Sequence, residues 1–588
     1  MAKAKRTARR KVDPVITEIV RNGVIAVTEE MKTNLMRTAY NMIIYEALDF
    51  TTGLFTPEGE TVSIGIGLPT FIRGMAETIK AKLRHFGRDG IEPGDILITN
   101  DAYTTGSHLY HITLTQPIFD KRALVGFACC MAHWIDIGGT LSGVTTDIYS
   151  EGLQVPFLKL YKAGKINQDL VDFIRMNVRI PTRAMGDLRA QVTAVKTGER
   201  RFLELVERYG REAVAASIRA IMDQCEASAR ARTRTIPDGT YSAEAYMDDD
   251  GVDIGKPVPI RVKVAVADDR MTIDLTDVSH QVRGFFNSGA TTGLGCTQVA
   301  YKCITSPRDY PINDGSFRSL TSIVPPGRVV SASRPAPMRQ WMTFPMTIID
   351  TVFKALAPAI PDRVIAGHHA DLMGANIHGI DPRKREFFIG GFGPLGGGWG
   401  AKRSEDGVSA TVCLNDGDTH NAPCEQVETK VPVVVESHAL VPDSGGAGRH
   451  RGGLGVERVV RVMAPVICNS RIDRAHCKPW GLEGGLDATA NEIAFKRNGV
   501  WKSDFPNAKL SFIEMKPGDV YRIRSGGGGG YGPPWQRPVE RVQEDVRQGY
   551  VSAAQAAELY GVVLDAETLE IDDAATQRRR DELRAAAR

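Results

Sequence analysis

The 588-residue sequence lacks any hydrophobic run that approaches the roughly 18 apolar residues of a membrane-spanning helix, so we expect no membrane span. It also lacks an excess of either charge, because 73 Lys and Arg residues stand against 70 Asp and Glu residues, for a net charge of +3. This balance provides no extended basic surface for a nucleic acid. The basic start MAKAKRTARRK is not followed by the apolar segment of a secretory signal, and we expect residues 1–12 to form a disordered tail.

Several chemical motifs are also missing. The nine cysteines show no CxxC spacing, which indicates free thiols and a cytoplasmic location. The chain has no GxSxG, HExxH or protein-kinase motif. Glycine runs occur in GGFGPLGGGWG (390–400) and SGGGGGYG (525–532), but neither ends in the Gly-Lys-Ser/Thr of a phosphate loop. We expect these glycines to serve tight turns and close backbone contacts.

The composition is that of an ordinary globular protein, with 42% hydrophobic and 24% charged residues. Helical periodicity runs over 14–40 and again over 188–232, whereas alternating strands become frequent after residue 235. We predict an α+β fold, multidomain and mixed α/β, with antiparallel sheets and a β-rich, glycine-rich C-terminal half. The predicted parts are the tail 1–12, a metal-bearing α/β domain 13–234, a mixed β/α domain 235–430, a β-rich domain with glycine turns 431–535, and a helical C-terminal segment 536–588.

Three histidines stand close together in a stretch that otherwise reads as buried β-structure. His108, His111 and His133 fall within 26 residues. The three-residue offset of the first two lets a turn present both rings to one ion. The segment before His133 reads as two strands around a polar turn at 120–122, and such a hairpin would bring its end back beside its start. The cluster predicts a metal site, although histidines that are simply hydrogen-bonded in a core remain an alternative.

Two carboxylates are candidates to complete this site. Asp136 follows His133 by three residues, and we predict that it is catalytic, either as a ligand or as the acceptor that orients a ligand ring. Asp49 sits beside Phe50 in a predicted strand, where a carboxylate needs a partner. A local contact to the following Thr51 and Thr52 would be the simpler explanation for Asp49.

Eight blocks of the sequence carry a family resemblance. In chain order they are LDFTTGLF, GDILITNDAYTTGSHLYHITL, AHWIDIGG, YSEGLQVP, NVRIPTRAMGDLRAQ, PDSGGAGRHRGGLGVER, SGGGGGYGPP and DVRQGYVSAAQAAELYGVV. Together they make the chain resemble the hydantoinase B family, over about residues 13–563. Related forms of this subunit occur in ATP-dependent N-methylhydantoinases, 5-oxoprolinases, caprolactamases, and acetone and acetophenone carboxylases.

The resemblance implies a division of labour between two subunits. A hydantoinase A-type ATPase subunit with an actin-like fold would use ATP and Mg²⁺ to phosphorylate an unreactive carbonyl, or bicarbonate in a carboxylase. The B subunit would hold a divalent metal and complete the reaction. This agrees with the lack of a phosphate loop in the present sequence. A further small subunit would point to a carboxylase, and its absence to a hydrolase.

The resemblance also implies a ligand set. The family's metal ligands fall on Asp49, His108 and His133, and the fourth position is His111, because HLYH stands here where the family has HLPD. A set of three histidines and one aspartate suits Zn²⁺ better than Mg²⁺ or Ca²⁺, with Mn²⁺ and Fe²⁺ as alternatives. Alternatively, His111 faces the substrate and is not a ligand. NDAYTTGSH also replaces the family's NDPYxGGTH, which puts the usual substrate in doubt.

We predict hydrolytic ring opening of a lactam, hydantoin or oxoproline-like cyclic amide that a partner ATPase has phosphorylated. The metal would polarise the phosphorylated group or lower the pKa of a water toward about 7. Carboxylation of a ketone with bicarbonate is the second prediction. A non-catalytic scaffold subunit with a structural metal is the third.

Overall fold

The computed structural model describes residues 13–305, 311–391, 394–412 and 419–587. The predicted tail, 1–12, lies outside the described residues. No helix in these ranges is long and apolar enough to cross a membrane.

The N-terminal part is built on a seven-stranded antiparallel sheet, sheet A, with the order β2-β1-β5-β4-β3-β6-β7. Its strands are β1 (Phe50–Phe55), β2 (Thr61–Ile66), β3 (Ile96–Thr99), β4 (His111–Asp120), β5 (Ala123–His133), β6 (Leu158–Lys162) and β7 (Lys165–Ile166). The central strands are almost wholly buried, because helices also cover the sheet.

Seven helices belong to this part. They are α1 (Pro14–Thr38), α2 (Met42–Tyr45), α3 (Ile72–Phe86), α4 (Ala102–Thr105), α5 (Gln168–Asn177), α6 (Pro181–Tyr209) and α7 (Arg211–Thr233). The start of α1 follows from its sequence, because Asp13 caps the N–H of Val15 and proline occupies the first helical position. The helical block predicted over 188–232 is two helices, since Gly210 at φ +82° ends α6.

A second sheet, sheet B, follows in the order β11-β10-β9-β8. Its strands are β8 (Gly239–Met247), β9 (Val258–Ala267), β10 (Arg270–Asp274) and β11 (Leu320–Ile323), and it packs against α8 (Ala290–Thr305) and α9 (Thr343–Leu356). The antiparallel pairing of β8, β9 and β10 confirms the strands predicted from alternation. The parallel pairing of β10 with β11 was not predicted.

Two antiparallel sheets make up most of the remainder. Sheet C has the order β13-β12-β16-β19 and sheet D the order β14-β15-β20-β17-β18. The strands are β12 (Ala375–Asp381), β13 (Glu386–Gly390), β14 (Val433–Leu440), β15 (Val456–Val462), β16 (Val466–Ser470), β17 (Glu492–Arg497), β18 (Val500–Lys502), β19 (Ile513–Met515) and β20 (Val520–Arg524). The helices are α10 (Cys424–Lys430), α11 (Val539–Arg547), α12 (Ala553–Glu558) and α13 (Asp573–Ala586).

Sheet C joins chain segments on both sides of residue 430, since β12 pairs with β16. The parts predicted as 235–430 and 431–535 therefore share a sheet, and the domain bounds remain predictions. The predicted fold class is confirmed: a mixed α/β protein with several antiparallel sheets.

The glycine runs form close backbone contacts, as the sequence predicted. A Cβ atom on Gly528 would lie 1.9 Å from the carbonyl oxygen of Trp399, and one on Gly452 would lie 1.7 Å from the carbonyl oxygen of Gly528. Backbone hydrogen bonds join the same loops, with Gly528 N–H donating to the Gly453 carbonyl at 3.0 Å. Any side chain would separate these loops, so the glycines are needed for packing.

Candidate metal centre and cavity

Two of the three clustered histidines meet through the pairing of two long strands. β4 begins at His111 and β5 ends at His133, and these two residues face each other in the antiparallel register. The turn between the strands lies at 121–122, within the predicted turn. The predicted hairpin is therefore confirmed, and it sets the histidine at its end beside the histidine at its start.

His108 and Asp49 join this pair from adjacent segments. His108 lies in the turn before β4, where its carbonyl accepts the N–H of His111 at 3.3 Å. Asp49 directly precedes β1, the strand next to β5, and its carbonyl accepts the N–H of His133 at 3.0 Å. The ring centroid of His108 lies 4.4 Å from that of His111 and 4.8 Å from that of His133. We call these four residues the histidine cluster.

Hydrogen bonds orient two of the rings. With Nδ1 of His108 assigned as the donor to the carbonyl of Arg339 at 3.1 Å, Nε2 presents a lone pair. Nε2 of His111 lies 2.9 Å from Oδ1 of Asp49. Three further ring nitrogens, Nε2 of His108, Nδ1 of His111 and Nδ1 of His133, are buried without a hydrogen-bond partner. Buried polar atoms are normally paired, so three such nitrogens together indicate a ligand-binding cluster.

The pKa shifts of His108, His133 and Asp49 suit the binding of a cation. Burial above all lowers the pKa of His108 well below its usual value, and the charges of His111 and His133 lower it further. Burial also lowers the pKa of His133 to about 4, although the charge of Asp49 opposes this. For Asp49 itself burial raises the pKa, but the charge of His111 and its hydrogen bond hold the carboxyl pKa below its usual value. Neutral imidazole and ionised carboxylate are the forms that bind metals.

The cluster has the chemistry of a metal site without its full geometry. Imidazole and carboxylate are donors that Zn²⁺, Mn²⁺ and Fe²⁺ accept. Nevertheless, across 13–305, 311–391, 394–412 and 419–587 no group of three or more His, Cys, Asp or Glu side chains is arranged to hold a metal ion. Asp49 and His111 bond each other directly. Metal binding and metal identity therefore remain predictions.

Asp136 does not take the predicted position beside a ligand ring. Its fully buried carboxylate accepts a hydrogen bond from Nη1 of Arg179 at 2.7 Å, another from the Arg179 backbone N–H, and one from the Gly138 N–H at 3.2 Å. Within the described residues none of the clustered histidines donates to it. The strand ends at His133 and the chain turns away, so these contacts support a structural role for Asp136 in the loop after β5.

The cluster forms part of the wall of a cavity of about 260 Å³. Asp49, His108 and His133 line it, and the rest of the wall comes from distant parts of the chain. One set of lining residues lies at 339–342 and includes Trp341, whose ring centroid is 5.7 Å from that of His111. Another set belongs to or flanks sheet C, at 372–377, 388–391 and 469–471. The cavity is thus formed by the N-terminal part, the 339–342 segment and sheet C together.

A buried carboxylate fixes the loop that carries Arg339. Glu151 accepts the backbone N–H of Met338 and that of Arg339, both at 2.9 Å, and the hydroxyl of Thr145 at 2.6 Å. Burial raises the pKa of Glu151 to about 7, although these hydrogen bonds oppose the rise. Because the Arg339 carbonyl binds the ring of His108, Glu151 supports the cluster indirectly.

Sequence reasoning missed the residues that the cavity adds to the cluster. Arg339, Trp341 and Arg471 all line it. No local pattern marks Arg339 or Arg471 among the 73 lysines and arginines of the chain, and only the packing of separate segments brings them to the histidines.

Comparison with known proteins supports the resemblance seen in the sequence. The chain is 31% identical over 584 residues to the caprolactamase subunit beta of Pseudomonas jessenii, covering 97% of this chain and 99% of that protein. The crystal structure of the ATP-dependent caprolactamase from Pseudomonas jessenii superposes with a TM-score of 0.90 at 28% identity, over 97% of this chain and 100% of that chain. A nucleotide-free acetone carboxylase structure has the same fold, with a TM-score of 0.90 at 19% identity over 98% of this chain and 83% of that chain.

The family model described as Hydantoinase B/oxoprolinase matches residues 13–534, most of the described chain. It spans the histidine cluster, the cavity and the glycine loops. The resemblance inferred from the eight sequence blocks is therefore confirmed, and this chain belongs to the hydantoinase B/oxoprolinase family.

Proposed function

We propose that this chain is the metal-containing catalytic subunit of a cytoplasmic, ATP-dependent hetero-oligomer that opens the ring of a lactam, hydantoin or oxoproline-like cyclic amide. The observation that carries the proposal is the histidine cluster at the cavity wall, where three buried ring nitrogens lack partners. A relative at 31% identity over nearly the whole chain is named a caprolactamase subunit, which supports a cyclic amide as substrate.

The residues that would hold the metal are Asp49, His108, His111 and His133. We favour Zn²⁺ for a set of three imidazoles and one carboxylate, with Mn²⁺ or Fe²⁺ as alternatives. A divalent cation bound there would polarise the carbonyl-derived oxygen of the substrate and lower the pKa of a water toward about 7.

The other groups of the site act by positioning. The Arg339 carbonyl accepts the hydrogen bond of His108 Nδ1 and so favours the tautomer that leaves a lone pair on Nε2. Asp49 fixes the orientation of the His111 ring. Apolar side chains, among them Trp341, Met342 and Phe388, line the same cavity and limit access of bulk water to the reacting carbonyl.

Activation of the carbonyl belongs to another subunit in this proposal. The chain has no Gly-Lys-Ser/Thr loop, and its glycine runs pack on one another's backbones. We therefore propose a hydantoinase A-type ATPase as partner, which binds ATP and Mg²⁺ and phosphorylates the substrate. Substrate-dependent ATP turnover by the isolated chain, with the partner shown to be absent, would refute this division.

Two competing functions have weaker support. Ketone carboxylation rests on similarity to an acetone carboxylase at 19% identity, which extends to the fold alone. A scaffold subunit with a structural metal would not need a cavity of about 260 Å³ beside the cluster.

A substrate panel decides between these functions. The complex purified with its partner is assayed for ATP hydrolysis against lactams, hydantoins and ketones, each with and without bicarbonate. We expect turnover with a cyclic amide, independent of bicarbonate, together with the ring-opened product. Turnover that requires a ketone and bicarbonate would establish the carboxylase, and no turnover with an intact partner would favour the scaffold.

A further inference from the structure

The cavity beside the histidine cluster carries more positive than negative charge. Its lining contains four cationic side chains and two carboxylates, and both carboxylates are already engaged: Glu46 accepts Nε2–H of Gln426 at 2.8 Å, and Asp49 bonds His111. The cationic side chains are Arg183, Arg339, Lys430 and Arg471. With the histidines neutral, the cavity has an unbalanced positive charge, which favours an anionic ligand.

Arg471 is one of two arginines in this lining, with Arg183, whose guanidinium forms no hydrogen bond or ion pair with a described residue. It directly follows β16, and its backbone N–H donates to the Gly374 carbonyl at 3.2 Å. Its guanidinium makes no hydrogen bond or ion pair with any residue that the structure describes. It lines the same cavity as His108 and His133. An unpaired guanidinium with five donors on a cavity wall is suited to an incoming oxyanion.

Arg339 provides a second, fixed guanidinium in the same cavity. The residue is only 6% exposed, Nη2 donates to the carbonyl of Thr140, and Nε is buried without a partner. The positions of its backbone and carbonyl are set by Glu151 and His108. Burial, followed by the charge of Arg339, lowers the pKa of Arg471 to about 10. Arg339 and Arg471 both line the cavity, so an anion bound between them would offset two like charges.

We propose that Arg471 and Arg339 form an oxyanion subsite that binds the phosphoryl group of the activated substrate, with the reacting carbon turned toward the histidine cluster. The proposal rests on the proposed function, because the partner ATPase must supply the phosphoryl group. The apolar remainder of the cavity, at Leu372, Met373 and Phe388, would take the carbon skeleton. The substrate class is therefore a phosphorylated cyclic amide with a largely apolar body.

Inorganic phosphate, which the reaction would release, is the direct probe of this subsite. Binding to the full-length chain is measured by titration calorimetry at constant ionic strength, with and without chelator, so that a cation held by the histidines is not mistaken for the arginines. We expect Arg471→Ala to weaken phosphate binding at least about tenfold, the loss typical of a charge-assisted hydrogen-bonding group. The phosphate affinity of Arg471→Lys should lie between those of wild type and Arg471→Ala, because lysine keeps the positive charge and loses the paired N–H donors of the guanidinium.

Arg183→Ala is the matched control, because it removes the same charge from the same cavity. We expect it to weaken phosphate binding several-fold less than Arg471→Ala does, because Arg183 adds charge to the cavity but is not part of the proposed subsite. Equal weakening in Arg183→Ala and Arg471→Ala would mean that phosphate senses only the total charge, and the subsite would be rejected. Thermal unfolding and circular dichroism check that each variant is folded, and phosphate affinities are compared only among folded variants. If Arg471→Ala fails to fold, Arg471→Lys takes its place in the comparison.

A carboxylate on the substrate could satisfy the same arginines, and acetate serves as its probe. We expect phosphate to bind more tightly than acetate in an Arg471-dependent manner. Acetate binding that depends on Arg471, without phosphate binding, would overturn the phosphoryl assignment. Ring opening by the complex is assayed separately. Phosphate binding that depends on Arg471, without any ring opening, would retain the subsite and reject the proposed function. Ring opening, with phosphate binding that does not depend on Arg471, would retain the proposed function and reject the subsite.

Discussion

The double substitution His108→Ala with His133→Ala tests the metal-binding role of the histidine cluster. In the structure three ring nitrogens of the cluster are buried and unpartnered. Leaving such groups unsatisfied costs about 1–3 kcal/mol each, so the cluster carries a cost of roughly 3–9 kcal/mol that a cation would offset. This cost is comparable with the whole free energy of unfolding of an ordinary domain, and a bound metal would remove it.

The expected loss of metal is large. Removing a group that merely supports a ligand lowers metal affinity about 10- to 100-fold, so removal of two direct ligands should lower it by more than about 100-fold. Metal content is measured by plasma mass spectrometry after dialysis against buffer that contains a weak chelator. We expect the wild-type chain to retain close to one ion per chain and the double variant to retain almost none.

The matched control is His378→Ala, which removes an imidazole that lines the same cavity but lies outside the cluster. It should retain the wild-type metal content. An unchanged metal content in the folded double variant would refute the metal assignment, and equal loss in the control would show that damage to the cavity, not ligand removal, causes it.

Three further predictions concern single residues. If the His111 ring is a ligand, His111→Asp should keep a metal bound and shift the preference of the site from Zn²⁺ toward Mn²⁺, which competition binding measures. An unchanged metal preference with altered turnover would instead place the His111 ring against the substrate. Glu151→Gln should flatten the pH dependence of the free energy of unfolding. The carboxyl of Glu151 has a pKa of about 7 in the folded chain and 4.5 in the unfolded chain, so its contribution to stability is complete below pH 4.5 and falls by up to about 3 kcal/mol as the pH rises through 7. Melting temperatures of wild type and variant across that range would detect or disprove this difference. Gly528→Ala places a Cβ 1.9 Å from the carbonyl oxygen of Trp399, whereas a Cβ on Gly374 meets nothing within 4 Å. Gly528→Ala should therefore destabilise the protein by more than about 3 kcal/mol, and the control Gly374→Ala should destabilise it far less. Equal melting temperatures of the two variants would contradict the packing role of Gly528.

Much of the cluster could be predicted because its residues lie on locally determined elements. The polar turn between two β-rich stretches predicts a hairpin, and strand pairing then places His133 beside His111. The prediction that the glycine runs serve close backbone contacts is confirmed by their packing on one another. Asp136 was predicted to join the cluster from its three-residue offset from His133, but β5 ends at His133 and the Asp136 carboxylate binds Arg179.

The sequence by itself determined the antiparallel hairpin, the convergence of histidines on its open end and the family, because strand periodicity, turn chemistry and ordered motifs are local properties. The tertiary structure alone decided what surrounds the histidines. Arg339 and Arg471 approach them from segments far along the chain, and sheet C closes the cavity through a pairing of β12 with β16. Such contacts depend on the packing of whole layers of structure, and no local sequence pattern encodes which layers meet.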